Sequence, residues 1–314
     1  MNKKVLFFGD IGVDDALAII YAHLSSQIDI VGIVSEYGNA PRNVTFRNAH
    51  YLLGLLGKSD IPVFTGAERP LSGEIPVFYP EVHGPQGLGP IIPKIPAITP
   101  KENFLEVTNL IEQYKDELII VATGRLTSLS TLFILYGDLM KHIKAYYIMG
   151  GAFLVPGNVT PLAEANFYGD PLAANIVMSN AKNANVFPLN VTMRALVIPA
   201  EVNYINQKGN IKIIKPMIDY YYNFYQKHYP NIQGSPMHDA LAMSAVINDT
   251  IFRFVKLPVQ VDTCNSISKG QSVADFRPFP EGPTNQLPQN IAYDFDYNQF
   301  INSFLTVMTR PLAK

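Results

Sequence analysis

The sequence predicts an α/β protein with an open, mainly parallel twisted sheet flanked by helices. Three observations predict it. Short, wholly apolar runs recur along the chain, the mark of strands buried on both faces. Between them lie segments of helical periodicity, so consecutive strands are joined by crossovers and run parallel. Polar residues gather just after the apolar runs, at the sheet edge where such folds bind ligands.

The first run, Val5-Leu6-Phe7-Phe8, is followed by Ala16, Leu17, Ile20 and Leu24 at helical spacing. Ile28 to Ser35 reads as a second buried strand ending at Tyr37-Gly38-Asn39, and a helix from Asn43 to Leu56 closes at Gly57. Ile61 to Phe64 is a short third strand. Residues 70 to 100, rich in proline and glycine, form a long irregular stretch around His83, the kind of segment that serves as a lid or binding loop. A helix from Asn103 to Tyr114 leads to the strand Leu118–Ala122. Two further strands, Ala145–Met149 and Asn185–Leu189, end at Gly150-Gly151 and at Asn190. The C-terminal half reads as irregular and partly helical, with a clear helix start at His238-Asp239 before Ala240. No repeat or linker divides the chain, so one domain is expected over residues 1–314.

Composition narrows the classes. A chain of 314 residues with 48% hydrophobic and 16% charged residues can bury a sizeable core. A formal charge of -2 gives no support for nucleic-acid or anionic-membrane binding. The single cysteine, Cys264, excludes an internal disulfide and fits a reducing compartment. Met1-Asn2-Lys3-Lys4 is basic, but the apolar run behind it is too short for a secretory signal and Asp10 interrupts it. No apolar stretch is long enough to span a bilayer. A cytoplasmic setting is expected.

The chemistry points to Gly9–Asp15, where three carboxylates and two glycines crowd into seven residues. Clustered carboxylates at the end of a buried strand are costly unless a positive group holds them, and a hard cation with oxygen ligands does so economically. An acidic helix start alone accounts for one Asp or two. Asp10, Asn39, Thr123, Asn158 and Asn190 all fall at or just beyond strand ends. Each alone is an ordinary turn former. Together on one edge, with Asp14 and Asp15, they favour a site.

These residues carry a family resemblance. Asp10-Ile11-Gly12-Val13-Asp14-Asp15-Ala16, Thr123-Gly124-Arg125-Leu126-Thr127 and Met149-Gly150-Gly151 resemble the inosine-uridine-preferring nucleoside hydrolases. So do Gly157–Asn166 with Asp170-Pro171, and His238-Asp239, with weaker echoes at Val261–Thr263, Lys269-Gly270 and Asn290–Asp296. The resemblance implies the nucleoside hydrolase fold and metal-dependent cleavage of the N-glycosidic bond of ribonucleosides, commonly by a homodimer or homotetramer. It implies one calcium ion held by Asp10, Asp15, the Thr123 carbonyl and Asp239. Asp14, Asn39, Asn158, Glu164, Asn166 and Asp239 would bind the ribose, and Met149 and His83 would also line the substrate. Asp10 would take a proton from a calcium-bound water, and His238 would serve the nucleobase as acid or as leaving-group contact. The residue types suit a reaction that builds oxocarbenium character on the sugar and expels a poor anion.

Three positions depart from the family's usual pattern. Phe8 stands where an Asp is usual, Ile11 where a Pro is, and Ala165 where an aromatic residue is. Phe8 is expected to lie buried beneath the metal loop and to weaken calcium binding. A nucleoside- or sugar-binding protein without useful catalysis is the alternative, but it has no need of a water-activating cation. A phosphatase-like enzyme would leave Asn158, Glu164 and Asn166 without a purpose.

Overall fold

The computed structural model describes residues 2–96, 98–278 and 286–312. Met1 and the two C-terminal residues of the expected 1–314 span lie outside them. Eight strands form one sheet: β1 (Lys3–Gly9), β2 (Ile28–Ser35), β3 (Val63–Thr65), β4 (Ile119–Ala122), β5 (Ala145–Met149), β6 (Ala184–Phe187), β9 (Phe252–Pro258) and β12 (Pro288–Phe295). Two-stranded ribbons pair β7 (Leu196–Val197) with β8 (Ser235–Pro236), and β10 (Gln260–Val261) with β11 (Ser272–Val273).

The main sheet runs in the order β3-β2-β1-β4-β5-β6-β12-β9, and every pair from β3 to β12 is parallel. Strand β1 lies inside it, Phe8 standing opposite Val34 of β2 and Ala122 of β4. Because successive side chains point to opposite faces, Val5 and Phe7 join one apolar layer while Leu6 and Phe8 join the other. Helix Val13–Ser25 packs in the first layer, where it meets helix His238–Ile247. Both faces are covered, which is why these strands lack polar alternation.

The N-terminal strands and helices fall close to where the sequence places them, with four differences. The third strand is Val63–Thr65 rather than Ile61–Phe64, and the Asn103–Tyr114 helix is a short turn at Phe104–Glu106 followed by Val107–Gln113. The Asn185–Leu189 strand ends at Phe187 because Leu189 opens a short helix, and helix Thr127–Leu135 has no counterpart among the expected elements. The C-terminal half is more regular than the sequence suggests. It holds helices Ile214–His228, His238–Ile247 and Tyr297–Met308 and adds two strands to the sheet, β12 parallel to β6 and β9 antiparallel to β12. Strand β9, at the end of the sheet, alternates apolar residues with Arg253 and Lys256. Such a half-solvated edge has no continuous apolar run to reveal it. Inside the irregular stretch after residue 70, Pro80–His83 forms one short helix that carries His83 inward. Among the described residues no helix is long and apolar enough to cross a membrane.

Candidate active site

Parallel strands bring their carboxyl ends to one edge, and the site is built there. After β1 the chain turns through Asp10-Ile11-Gly12 into helix Val13–Ser25. Gly12 is required by close approach: a Cβ there would lie 2.6 Å from both Asn39 Nδ2 and His83 Nδ1. The Gly12 amide donates to Asp15 Oδ2 at 2.9 Å, so Asp15 caps its own helix. Asp15 also accepts from Thr123 Oγ1 at 2.7 Å and from Asn39 Nδ2 at 3.3 Å. One carboxylate thereby ties together the ends of β1, β2 and β4.

Asp10 is fully buried. Its Oδ2 accepts from the Asn39 amide at 2.6 Å and from Arg125 Nη1 at 2.9 Å, while Oδ1 has no partner. Asp14, Asp15 and Asp239 each present a carboxylate oxygen, and the three lie within 4.8 Å of one another. Burial, then mutual repulsion, pushes the Asp15 and Asp239 carboxyls well above the usual range. Burial also raises Asp10 and Asp14; Arg125 opposes this at Asp10, and hydrogen bonds from the Tyr221 hydroxyl and the Asp15 amide oppose it at Asp14. With Glu36 and Glu164, six acidic side chains are buried around a single arginine. Burial lowers His83 to about 3 and His238 to about 4, so neither supplies positive charge near neutrality. An oxygen-only donor set with excess negative charge and an orphaned carboxylate oxygen fits a hard divalent cation. The Asp cluster can hold a metal ion.

A second group of side chains comes from the segment after β5. Glu164 caps helix Ala165–Gly169, Oε1 accepting from the Asn166 amide at 2.8 Å and Oε2 from the amides of Gly151 and Phe167 at 3.0 and 3.1 Å. Asn166 donates through Nδ2 to the carbonyls of Thr123 and Met149 at 2.8 and 3.2 Å, and its Oδ1 accepts from Arg125 Nη1 at 2.7 Å. Asn158 Oδ1 accepts from the Ala165 amide at 2.9 Å.

The opposite wall is aromatic. Tyr221 and Tyr225 sit one turn apart on helix Ile214–His228 and project to the same side. Tyr221 donates to Asp14 Oδ2 at 3.1 Å. Tyr225 Oη and His238 Nε2 share a hydrogen bond of 2.8 Å, and Thr192 Oγ1 stands 2.8 Å from His238 Nδ1. His83 Nδ1 accepts from the Val13 amide at 3.3 Å and lies 3.6 Å from Asp14 Oδ1.

Between these walls lies a cavity of about 340 Å³. Asp14, Asn39, His83, Thr123, Met149, Asn158, Glu164, Asn166 and His238 all line it. Asp10, Asp15 and Asp239 are buried directly behind, joined to the lining through Arg125, Thr123 and Asp14. Asn190 stays outside: both ends of its amide clamp the backbone of Phe153. Tyr221, Tyr225 and Tyr229 also line the cavity; they belong to the tyrosine cluster of residues 220–229, which by sequence reads either as a reader of the base or as packing. Arg125, also in the lining, had no role by sequence. The spacing of the three tyrosines, four residues at a time, marks a single helix face. Tyr220 and Tyr222 instead donate to the carbonyls of Pro80 and Ile232.

Comparison with known proteins gives concordant results. Residues 5–302 match the family model described as inosine-uridine preferring nucleoside hydrolase. A uridine nucleosidase of Arabidopsis thaliana is 32% identical over 87% of this chain and 82% of its own length. A pyrimidine-specific ribonucleoside hydrolase, RihA, of Salmonella arizonae is 33% identical over 96% of this chain and 97% of its own. Among solved structures, the plant nucleoside hydrolase PpNRh1 superposes with a TM-score of 0.93 at 28% identity, covering 99% of this chain and 100% of that one. A purine-preferring ribonucleoside hydrolase from Gardnerella vaginalis gives 0.89 at 25% identity, with 98% of each chain covered.

Proposed function

This chain belongs to the inosine-uridine preferring nucleoside hydrolase family, and on that footing we propose that it acts on pyrimidine ribonucleosides, uridine foremost, with one calcium ion. It is a hydrolase of ribonucleosides, releasing free base and ribose. The pyrimidine preference rests on the names of its relatives in Arabidopsis and Salmonella. The observation that carries the site assignment is the meeting, in one cavity, of a buried carboxylate cluster, a set of amide and carboxylate side chains, and a histidine-tyrosine wall.

Asp10, Asp15, Asp239 and the Thr123 carbonyl would hold the ion, with Asp14 at the boundary between ion and sugar. A bound divalent cation lowers the pKa of an adjacent water and offsets charge developing at the sugar. Asp10 is the base: Oδ2 is fixed by Asn39 and Arg125, so the unpartnered Oδ1 is the atom that receives the proton of the attacking water. Water adds to the anomeric carbon as the bond to the base nitrogen breaks. Asp14, Asn39, Asn158, Glu164, Asn166 and Met149 line the cavity and would contact the ribose. His238, neutral near pH 7, supports the departing base as a hydrogen-bond partner linked to Tyr225 rather than as an imidazolium. His83 closes the same side. Supplying uridine, cytidine, inosine and adenosine separately and measuring free base tests the preference. Uracil and cytosine should appear fastest, and faster release of hypoxanthine or adenine would overturn it.

A further inference from the structure

The one guanidinium in the site has a built seat. The Arg125 side chain is 3% exposed, and its guanidinium lies 5.7 Å from the Tyr79 ring centre. A Cβ on Gly169 would fall 2.6 Å from Arg125 Cδ and Nε, so the glycine makes room for the stem. A single nitrogen, Nη1, donates both to Asp10 Oδ2 and to Asn166 Oδ1. The second bond fixes the orientation of the Asn166 amide, whose Nδ2 in turn caps the Thr123 carbonyl. Arg125 therefore acts on two of the groups assigned to the cation, the Asp10 carboxylate by occupying its Oδ2 and the Thr123 carbonyl through Asn166.

We propose that Arg125 is a positioning residue that opposes the cation: it withdraws half of the Asp10 carboxylate from the ion and aims the other half at the water. The proposal rests on the reading of the site given above. A guanidinium does not lose its proton in a protein, so its charge is permanent. It neutralises Asp10 at 2.9 Å and repels a divalent ion bound nearby. It also leaves Oδ1 as the single free oxygen of Asp10, in one orientation. The site thus trades calcium affinity for a fixed base.

The test is calorimetric titration with calcium alone on wild type, Arg125→Gln and Arg125→Met, alongside Arg125→Lys, with kcat and KM measured separately at saturating calcium. Arg125→Gln removes the charge while keeping a polar side chain, though one too short to reach Asp10 as Nη1 does, and it decides the matter if the methionine variant fails to fold. Neutral variants should bind calcium about 10- to 100-fold more tightly, the scale on which neighbours of metal ligands act. Their kcat should fall at least tenfold with a smaller change in KM, and Arg125→Lys should restore weak, wild-type-like affinity. A merely structural arginine would give weaker or unchanged calcium binding on removal, and that result overturns the proposal. Wild type that binds no calcium refutes the metal assignment separately; Arg125 then stands if the glutamine variant binds calcium and falls if it does not.

Discussion

Tyr225 Oη lies 2.8 Å from His238 Nε2, on the wall of the cavity opposite Glu164 and Asn166. The histidine is held at its other nitrogen by Thr192, so its ring has one orientation. The Tyr225 hydroxyl is accordingly bonded to the side chain proposed to serve the departing nucleobase. Tyr225→Phe should lower kcat for uridine about 10- to 100-fold, within or just below the usual range for a proton-handling group, with the fold intact by circular dichroism. Tyr222→Phe removes a hydroxyl that bonds only the Ile232 carbonyl and should leave turnover near wild type. Equal effects from the two variants would remove Tyr225 from the chemistry.

Asp10→Asn keeps the shape of the side chain, but an amide cannot accept the proton of the water. Turnover should fall about 10²- to 10⁴-fold. Wild-type secondary structure and a small change in KM would locate the loss in the chemical step.

Calcium should stabilise the protein more as pH rises from about 6.5 to 8. The Asp15 and Asp239 carboxyls are raised well above their ordinary value by burial and by their acidic neighbours. Their contribution is present in full below about 3.9, the unfolded value, and is lost as pH climbs through the raised folded values. Calcium needs the ionised forms, so proton competition weakens in the same direction. His83 and His238 shift the other way, from 6.5 to about 3 and about 4, so their contribution is lost only as pH falls below 6.5. Above 6.5 they are neutral folded or unfolded and drop out. Melting curves at several pH values, with EDTA or with calcium, should show a widening gap. A gap that narrows would place the ion elsewhere.

Phe8 is 1% exposed and packs in the apolar layer with Leu6, Val34, Phe64 and Ala122. Phe8→Ala should cost about 3–5 kcal/mol of stability, as large aromatic deletions from cores do. Chemical denaturation measures this directly. The competing expectation, that Phe8 weakens the metal loop, requires Phe8→Asp to bind calcium more tightly than wild type.

The strands of the N-terminal half were legible because both faces are buried and their sequences are continuously apolar. Asp10, Asp14, Asp15 and Asn39 were legible for a related reason: polar residues directly after such runs have nowhere to go but the sheet edge. Strand β9 was not, since a half-solvated edge strand carries charges such as Lys256 and leaves no such run; β12, though inside the sheet, has polar residues such as Gln289, Asn290 and Asp294 among its apolar ones. Asn190 shows the limit of placing residues by strand ends, for its amide is consumed by the backbone of Phe153. Arg125 illustrates a different limit. Its contact with Asp10 spans 115 residues, and only the fold brings β1 and β4 side by side.

The most direct test of the account is uridine hydrolysis by protein stripped with chelator and then reloaded with calcium, with uracil and ribose quantified together. The stripped enzyme should release almost none of either product. The reloaded enzyme should release both in equal amounts, and the Asp10→Asn variant should stay near the stripped level even with calcium. Undiminished release from the stripped wild type, or undiminished release from reloaded Asp10→Asn, would contradict it.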